Sequence, residues 1–575
     1  MTQRADVDMV AMSIIDSTMT AVCREMGIVL MKTSYSTIFN EALDFTCALA
    51  SPEGEMIAQA EYCPSMIGGV PLLVRSCVKE IPLETLEPGD VICHNDPYRG
   101  GLHCPEHTLI KPVFVDDELM GFAMTIGHLQ EIGGMVPGAF AGEATEIFHE
   151  GIRVPPVKIK SRGEDVEEVW KLLLANVRTP RYNYGDLRAL IAGVDVGERG
   201  LAKLIRKYGK EQFRRNVLDL MDYSESRMRA EIGAIEDGVY RFQDQVEDDG
   251  IESRPYDIRV AVHVQGDEVV IDYSGTSPQA LGPINATLGV SYSAAYNGIL
   301  QVTDETIPKN SGCFRPIRVV SPPGTLLNVD YPGPEVGGNT ETHCKIAGAV
   351  IGALAPALPD RTMAAEGATH TNFVFGGTDE ETGEAFVCYA IELSGWGGRN
   401  FADGNDATDS INGNCRVVPV EVFETRFPFR TESYILVQDS GGAGRNRGGL
   451  STQRTLKSLD TEITGSQMSD RHRNRPWGLH GGQPGGLAGT WHQQANTTTW
   501  HMIDEAFGKA SPSKWSNVRI RPGDSIRFQT PGGGGWGDPR QRSREQVIED
   551  VAEGYISPAS ARENYGLEGA AEAAE

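Results

Sequence analysis

Between Asp44 and about Val157 the chain is cut into short apolar runs, FTCALA, DVICHN, HTLIKPVFV and GFAMTIGHL, separated by Gly, Pro and Asp. Runs of that kind look like strands of a mostly antiparallel sheet, with polar clusters left at the strand ends. The segments around this region read differently. From Val7 to about Thr33 the apolar residues Val10, Ile14, Met19, Val22, Met26 and Leu30 recur at three-to-five-residue steps, which predicts a long amphipathic helix packed on the core. Residues 161–238 are rich in Leu, Arg and Glu at helical spacing and predict a helical insert or arm that could serve as a subunit contact. Residues 239–384 open with a β-meander and carry helical segments near Ser291–Thr303 and Thr342–Leu358. Residues 385–540 are glycine-rich and read as an all-β region whose glycines supply turns needing φ > 0. Residues 541–575 form a helical tail with a frayed end, and residues 1–160 hold the first helix and the first sheet. The expected class is therefore α+β, a large multi-domain protein of mostly antiparallel sheets with a long N-terminal helix and a helical insert.

At 575 residues the chain exceeds what one hydrophobic core usually supports. A formal net charge of −27 argues against a nucleic-acid partner, because such proteins concentrate Lys and Arg against phosphates. The 10 cysteines include no CxxC pair and suit free thiols in a reducing compartment. The N-terminus has acidic residues where a signal peptide needs basic ones, and no run approaches the ~18 apolar residues of a membrane span. A cytoplasmic protein with no membrane partner is expected.

Only 12 histidines occur in the chain, and three of them fall within HNDPYRGGLHCPEH, residues 94 to 107. Asn95, Asp96, Pro97 and the Gly100-Gly101 pair are turn formers that fold the backbone before His103. His103 and Glu106 stand three residues apart and would share one face of a helical turn. His128 ends a strand-like run, Glu131 sits in the turn beyond it, and Asp44 precedes another strand. Two imidazoles and two carboxylates suit Zn²⁺, Mn²⁺ or Fe²⁺, with room for water or substrate. The same residues could equally cap turns and bond backbone groups, and His94 and His107 fit a supporting role. No GxSxG marks a serine hydrolase, and none of the glycine runs matches GxxxxGK[ST] or a GxGxxG opening a helix. Cys104 beside His103 is no nucleophile pair, since adjacent residues of an extended strand point to opposite faces.

HNDPYRGGLHCPEHTLIKPVF and GHLQEIGGMVPGAFAGEATEIFHEGIRVPPVKI resemble the hydantoinase B/oxoprolinase family. The likeness continues through PKNSGCFRPIRVVSPPGTLLN, VQDSGGAGRNRGGL, RPWGLHGGQPGG and TPGGGGWGDP, in order and over nearly the whole chain. It implies the metal-bearing subunit of an ATP-dependent cyclic-amide hydrolase, or of a related ketone carboxylase of the acetone and acetophenone type. It also implies a separate hydantoinase A-type subunit that binds ATP and Mg²⁺ and phosphorylates the substrate oxygen, in a hetero-oligomer of paired A-type and B-type chains. The family's divalent metal falls on Asp44, His103, Glu106 and His128, and Glu131 is the candidate proton acceptor for an attacking water. Two departures stand out. Positions 106 and 131, commonly Asp in the family, are Glu here, and the added methylene moves each carboxylate by about 1.5 Å.

Overall fold

The structure is a computed structural model that describes residues 8–568 apart from Glu381. Val7, expected to open the first helix, and the last residues 569–575, expected to be frayed, lie outside the described residues. Helix α1 (Met9–Thr33) starts on Asp8, whose side chain accepts the Ala11 N–H. It buries Met12, Ile15, Met19, Val22, Met26 and Leu30, whereas Val10 and Ile14 are exposed. The steps of the buried stripe are three and four residues, so Val10 and Ile14, each two residues from Met12, sit roughly 200° around the helix.

Next come α2 (Thr37–Asn40), β1 (Phe45–Ala50), β2 (Met56–Gln59), α3 (Val70–Glu80), β3 (Val91–His94), β4 (Glu106–Val115), β5 (Glu118–His128), β6 (Val157–Ser161) and β7 (Glu164–Asp165). These strands form an antiparallel sheet in the order β2-β1-β5-β4-β3-β6-β7. Both faces are covered, so the strands read as continuous apolar runs rather than as alternating ones. Phe45, Cys47, Leu49 and Ala123 join the core that α1 closes, while Ala48, Ala50, Met124 and Ile126 join a second core on the other face. Each large apolar side chain removed from water in this way contributes about 1.5–3 kcal/mol.

The 161–238 region is helical as expected, with α4 (Glu167–Ala175), α5 (Pro180–Tyr208) and α6 (Lys210–Ile232). It does not project as an arm. α5 lies along α1, β4 and β5, and a Cβ on Gly197 would stand 2.7 Å from both Ala123 and Met26. The close approach buries Leu187, Leu190, Val194 and Leu201.

The meander is β8 (Gly238–Val246), β9 (Tyr256–Gln265) and β10 (Glu268–Asp272); after α7 (Leu288–Leu300) and α8 (Ser311–Phe314), β11 (Ile317–Val320) joins β10 in parallel. Helix α9 (Glu341–Leu354) packs on α7 and on β8. The rest comprises β12 (Asn372–Thr378), β13 (Ala385–Ala390), α10 (Val420–Arg426), β14 (Phe429–Leu436), β15 (Thr452–Ser458), β16 (Ile463–Met468), β17 (Gly489–Gln493), β18 (His501–Met502), α11 (Ile503–Phe507), β19 (Lys514–Ile520), β20 (Ser525–Gln529), α12 (Arg544–Ala552) and α13 (Pro558–Glu563). Sheets β13-β12-β16-β19 and β14-β15-β20-β17-β18 share one core around Phe373, Phe375, Trp515 and Phe528. No helix among the described residues is long and apolar enough to cross a membrane.

The glycine runs depart from expectation. None of the glycines at 395–398, 441–449 and 532–535 has a positive φ, so these are not left-handed turns. They are segments hydrogen-bonded to one another. Gly449 N–H donates to Trp396 O, Gly533 N–H to Gly449 O, Gly442 N–H to Gly533 O and Gly398 N–H to Gly534 O. A Cβ on Gly533 would stand 1.9 Å from Trp396 O, so only a residue without a side chain lets these backbones meet. Gly533→Ala is expected to cost about 3 kcal/mol of stability. Gly348→Ala, in α9 with nothing within 4 Å of the added Cβ, should instead stabilise by about 0.5–1 kcal/mol. Urea denaturation midpoints of the two variants should move in opposite directions.

Candidate functional site

Antiparallel pairing brings the start of β1, the end of β5 and the start of β4 to one edge of the first sheet. Glu106 is directly opposite His128, and the His128 N–H donates to the Asp44 carbonyl at 3.1 Å. Strand parity then sets the direction of the side chains. Asp44, Glu106 and His128 share the alternation of Ala48, Ile110 and Ile126, so all three leave the sheet on one face. His103 reaches the same place from a turn, closed by the Glu106 N–H on the His103 carbonyl at 3.0 Å. This turn replaces the helical turn expected for HCPEH, and the two side chains converge all the same, with His103 Nε2 3.4 Å from Glu106 Oε1.

The loop before His103 is tied down by Asn95. Its amide donates to Cys104 O and Ile152 O, and its carbonyl accepts the Val154 N–H. Asp96 accepts the Tyr98 N–H, and Gly100 adopts φ 90°. His103 Nδ1 donates to Val336 O at 2.9 Å, which fixes the tautomer and leaves Nε2 with a lone pair. The Val336 segment is itself held, because the Glu150 carboxylate accepts the N–H groups of Glu335 and Val336.

Asp44, His103, Glu106 and His128 all line one enclosed cavity of about 20 Å³, room for one water-sized group. Three buried atoms there have no hydrogen-bond partner among the described residues: His103 Nε2, His128 Nε2 and Glu106 Oε2. Burial and the neighbouring Glu106 carboxylate push Asp44 up to about 7. Burial, with His103 and His107 close by, holds His128 well below the usual histidine range, so its Nδ1, 3.8 Å from Asp44, makes no ion pair there. His128 is clamped by rings, stacked on Tyr389 at 4.4 Å between centroids and on Phe140 at 5.5 Å.

Residues from the second half of the chain close the cavity, and the sequence reading had no signal for them. His370 Nδ1 lies 2.8 Å from Asp409, and its Nε2 lies 2.9 Å from Asn412 Oδ1. The Asn412 amide donates to Asn339 O, which fixes that oxygen as an acceptor. Both ring nitrogens therefore carry hydrogens. Burial works against the charge, yet the Asp409 carboxylate outweighs it and holds His370 well above the usual range. Asn339 also donates to Glu106 Oε1.

Glu131, expected as a proton acceptor, is not brought to this cavity. Its carboxylate is fully buried and accepts the N–H groups of Gly133 and Gly138 together with the Arg178 guanidinium. With both oxygens taken up, it anchors the turn after β5 rather than facing the four donors. His94 and His107 also sit outside the cavity lining. His107 Nδ1 donates to Pro105 O, and burial pushes its ring down to about 4.

The sequence profile of the hydantoinase B/oxoprolinase family matches residues 8–539. A B-type chain of a D-/L-hydantoinase from a Pseudomonas species is 32% identical, over 98% of this chain and 95% of its own length. The beta chain of the caprolactamase from Pseudomonas jessenii is also 32% identical, over 98% of this chain and 96% of its own length. The crystal structure of that organism's ATP-dependent caprolactamase superposes with a TM-score of 0.89, covering 98% of this chain and 97% of the other at 31% identity. A nucleotide-free acetone carboxylase shares the fold, with a TM-score of 0.87 over 97% of this chain and 79% of the other, at 19% identity.

Removing the Glu131 carboxylate leaves buried N–H groups unpaired, so Glu131→Ala should lose about 1–3 kcal/mol of stability. Chemical denaturation followed by tryptophan fluorescence checks this, and an unshifted midpoint would contradict the anchoring role.

Proposed function

This chain belongs to the hydantoinase B/oxoprolinase family, and from that membership we propose that it is the metal-bearing subunit of an ATP-dependent hydrolase of cyclic amides. One observation carries the reading. Two imidazole nitrogens and a carboxylate oxygen stand buried without partners, beside the Asp44 carboxylate, in a cavity the size of a small ligand atom. Burying polar atoms without partners costs free energy, and a cation bound among them removes that cost. The donor set fits a divalent transition ion such as Zn²⁺, Mn²⁺ or Fe²⁺. The charges fit as well: Asp44 and Glu106 supply two negative charges, while Asp409 is already matched by His370.

Asp44, His103, Glu106 and His128 would hold the ion, which when bound supplies Lewis acidity that makes a water nucleophilic near neutral pH. The rest falls to the chain's own side chains. Val336 O orients His103, Asn339 orients Glu106, and the Tyr389 and Phe140 rings orient His128. The His370 imidazolium adds fixed positive charge to the cavity wall, where negative charge develops on the carbonyl oxygen under attack. Its two N–H groups are engaged by Asp409 and Asn412, so it stabilises charge without giving up a proton. The small inner cavity excludes bulk water. A wider cavity of about 820 Å³, whose wall includes Asp409 and Cys415, has room for a small ring.

The names of the relatives support cyclic amides as the substrate class and a separate A-type, ATP-bearing chain as the partner. The likeness to acetone carboxylase is one of fold, and a ketone carboxylase remains the competing reading. Elemental analysis of the assembled protein should find about one metal ion per chain, lost in His103→Ala and in His128→Ala together with ATP-dependent ring opening. Isotopic bicarbonate entering the product would favour the carboxylase, and a metal-free wild type or an active His103→Ala would overturn the proposal.

A further inference from the structure

Two cysteines that the proposed function leaves unused stand beside the centre. Cys63 follows β2, and Cys415 comes from the loop beyond Asn412. Cys63 Sγ, Cys415 Sγ and a carboxylate oxygen of Asp44 all lie within 4.8 Å of one another. Among the described residues this is the one trio of His, Cys, Asp or Glu ligand atoms gathered so tightly. The surroundings hold it in place. Cys63 Sγ lies 3.1 Å from Ser65 Oγ, and the Cys415 N–H donates to Asp409 Oδ2 at 2.7 Å, the carboxylate already pinned by His370. Cys63 is buried, whereas Cys415 is partly exposed and lines both the small inner cavity and the wide outer one. An ion arriving from the outer cavity therefore meets Cys415 on the way to Asp44.

We propose that Asp44, Cys63 and Cys415 form a second cation site, selective for thiophilic ions such as Zn²⁺ and Cd²⁺, that shares Asp44 with the first centre. Two sulfurs and one carboxylate oxygen are a soft donor set, unlike the imidazole and carboxylate set next to it. Binding replaces two S–H bonds with two sulfur–metal bonds and releases two protons to the buffer. Because the ion draws on Asp44, it withdraws a donor from the first centre, and thiophilic ions should inhibit at near-stoichiometric levels. That consequence rests on the function proposed above; the binding itself does not.

The test is a Cd²⁺ titration of the chelator-stripped full chain, read by the ultraviolet thiolate-to-cadmium charge-transfer band and by cadmium X-ray absorption. Wild type should saturate near one Cd²⁺ per chain with about two sulfur neighbours. Cys63→Ser and Cys415→Ser should each lose at least half of the band, while Cys93→Ser, a buried thiol in β3, and His103→Ala should retain it. No band in the wild type, or an undiminished band in a Cys415→Ser variant with wild-type circular dichroism, overturns the site. Uptake of Mn²⁺, which favours carboxylate and imidazole over thiolate, reports the first centre separately. Failure to bind Mn²⁺ with the cadmium band intact would sink the proposed function and leave this site standing.

Discussion

The register between β1, β5 and β4 is the constraint on which the site depends. Three strand ends meet at one sheet edge because the pairing is antiparallel, and three side chains share a face because alternation along a strand has a period of two. A slip of one residue in the pairing would send the His128 ring to the opposite face from Glu106 and dissolve the cluster. Covering both faces of the sheet protects that register. Any slip would also exchange residues such as Leu49 and Ala48 between two differently shaped cores.

Around this edge the protein keeps reactive atoms free by committing every other hydrogen-bonding group to a partner. His103 is used at Nδ1 and left open at Nε2, and Glu106 is used at Oε1 and left open at Oε2. The partners are backbone and amide groups from other parts of the chain, Val336 and Asn339 among them. The geometry is thus set before any ligand arrives, which is what a site needs if binding is not to be spent on ordering side chains. The His370–Asp409 pair follows the same logic: a buried charge is tolerated because it is matched at hydrogen-bonding distance.

The glycine segments solve a different packing problem. Backbone meets backbone with no side chain between, so hydrogen bonding takes over the cohesion that apolar contacts supply in the sheets. Trp396 is part of both regions. Its carbonyl accepts from Gly449, and its indole N–H donates to the Asp409 carbonyl, which ties the glycine layer to the loop carrying Asp409, Asn412 and Cys415. The same overall fold serves a caprolactamase and an acetone carboxylase, so the chemistry resides in the cavity and in the loops that close it.

The strands of the first sheet, the helical stretches and the four donors Asp44, His103, Glu106 and His128 are legible in the chain alone, because period, turn formers and local motifs are written in neighbouring residues. Which face of α1 is buried is not, since Val10 and Ile14 are as apolar as the residues that won; only the docking of α5 and β1 decides that. Nor does the local pattern show that Glu131 is saturated, because Arg178 lies far along the chain and its reach depends on how α5 begins. The glycine runs are visible but misleading: composition shows that side chains are absent, and only the packed structure shows what occupies the space. His370, Asp409, Asn412, Tyr389, Cys63 and Cys415 carry no local motif. They become a site only when distant segments are folded onto the edge of one sheet, and contacts between distant segments are decided by packing that no short stretch encodes.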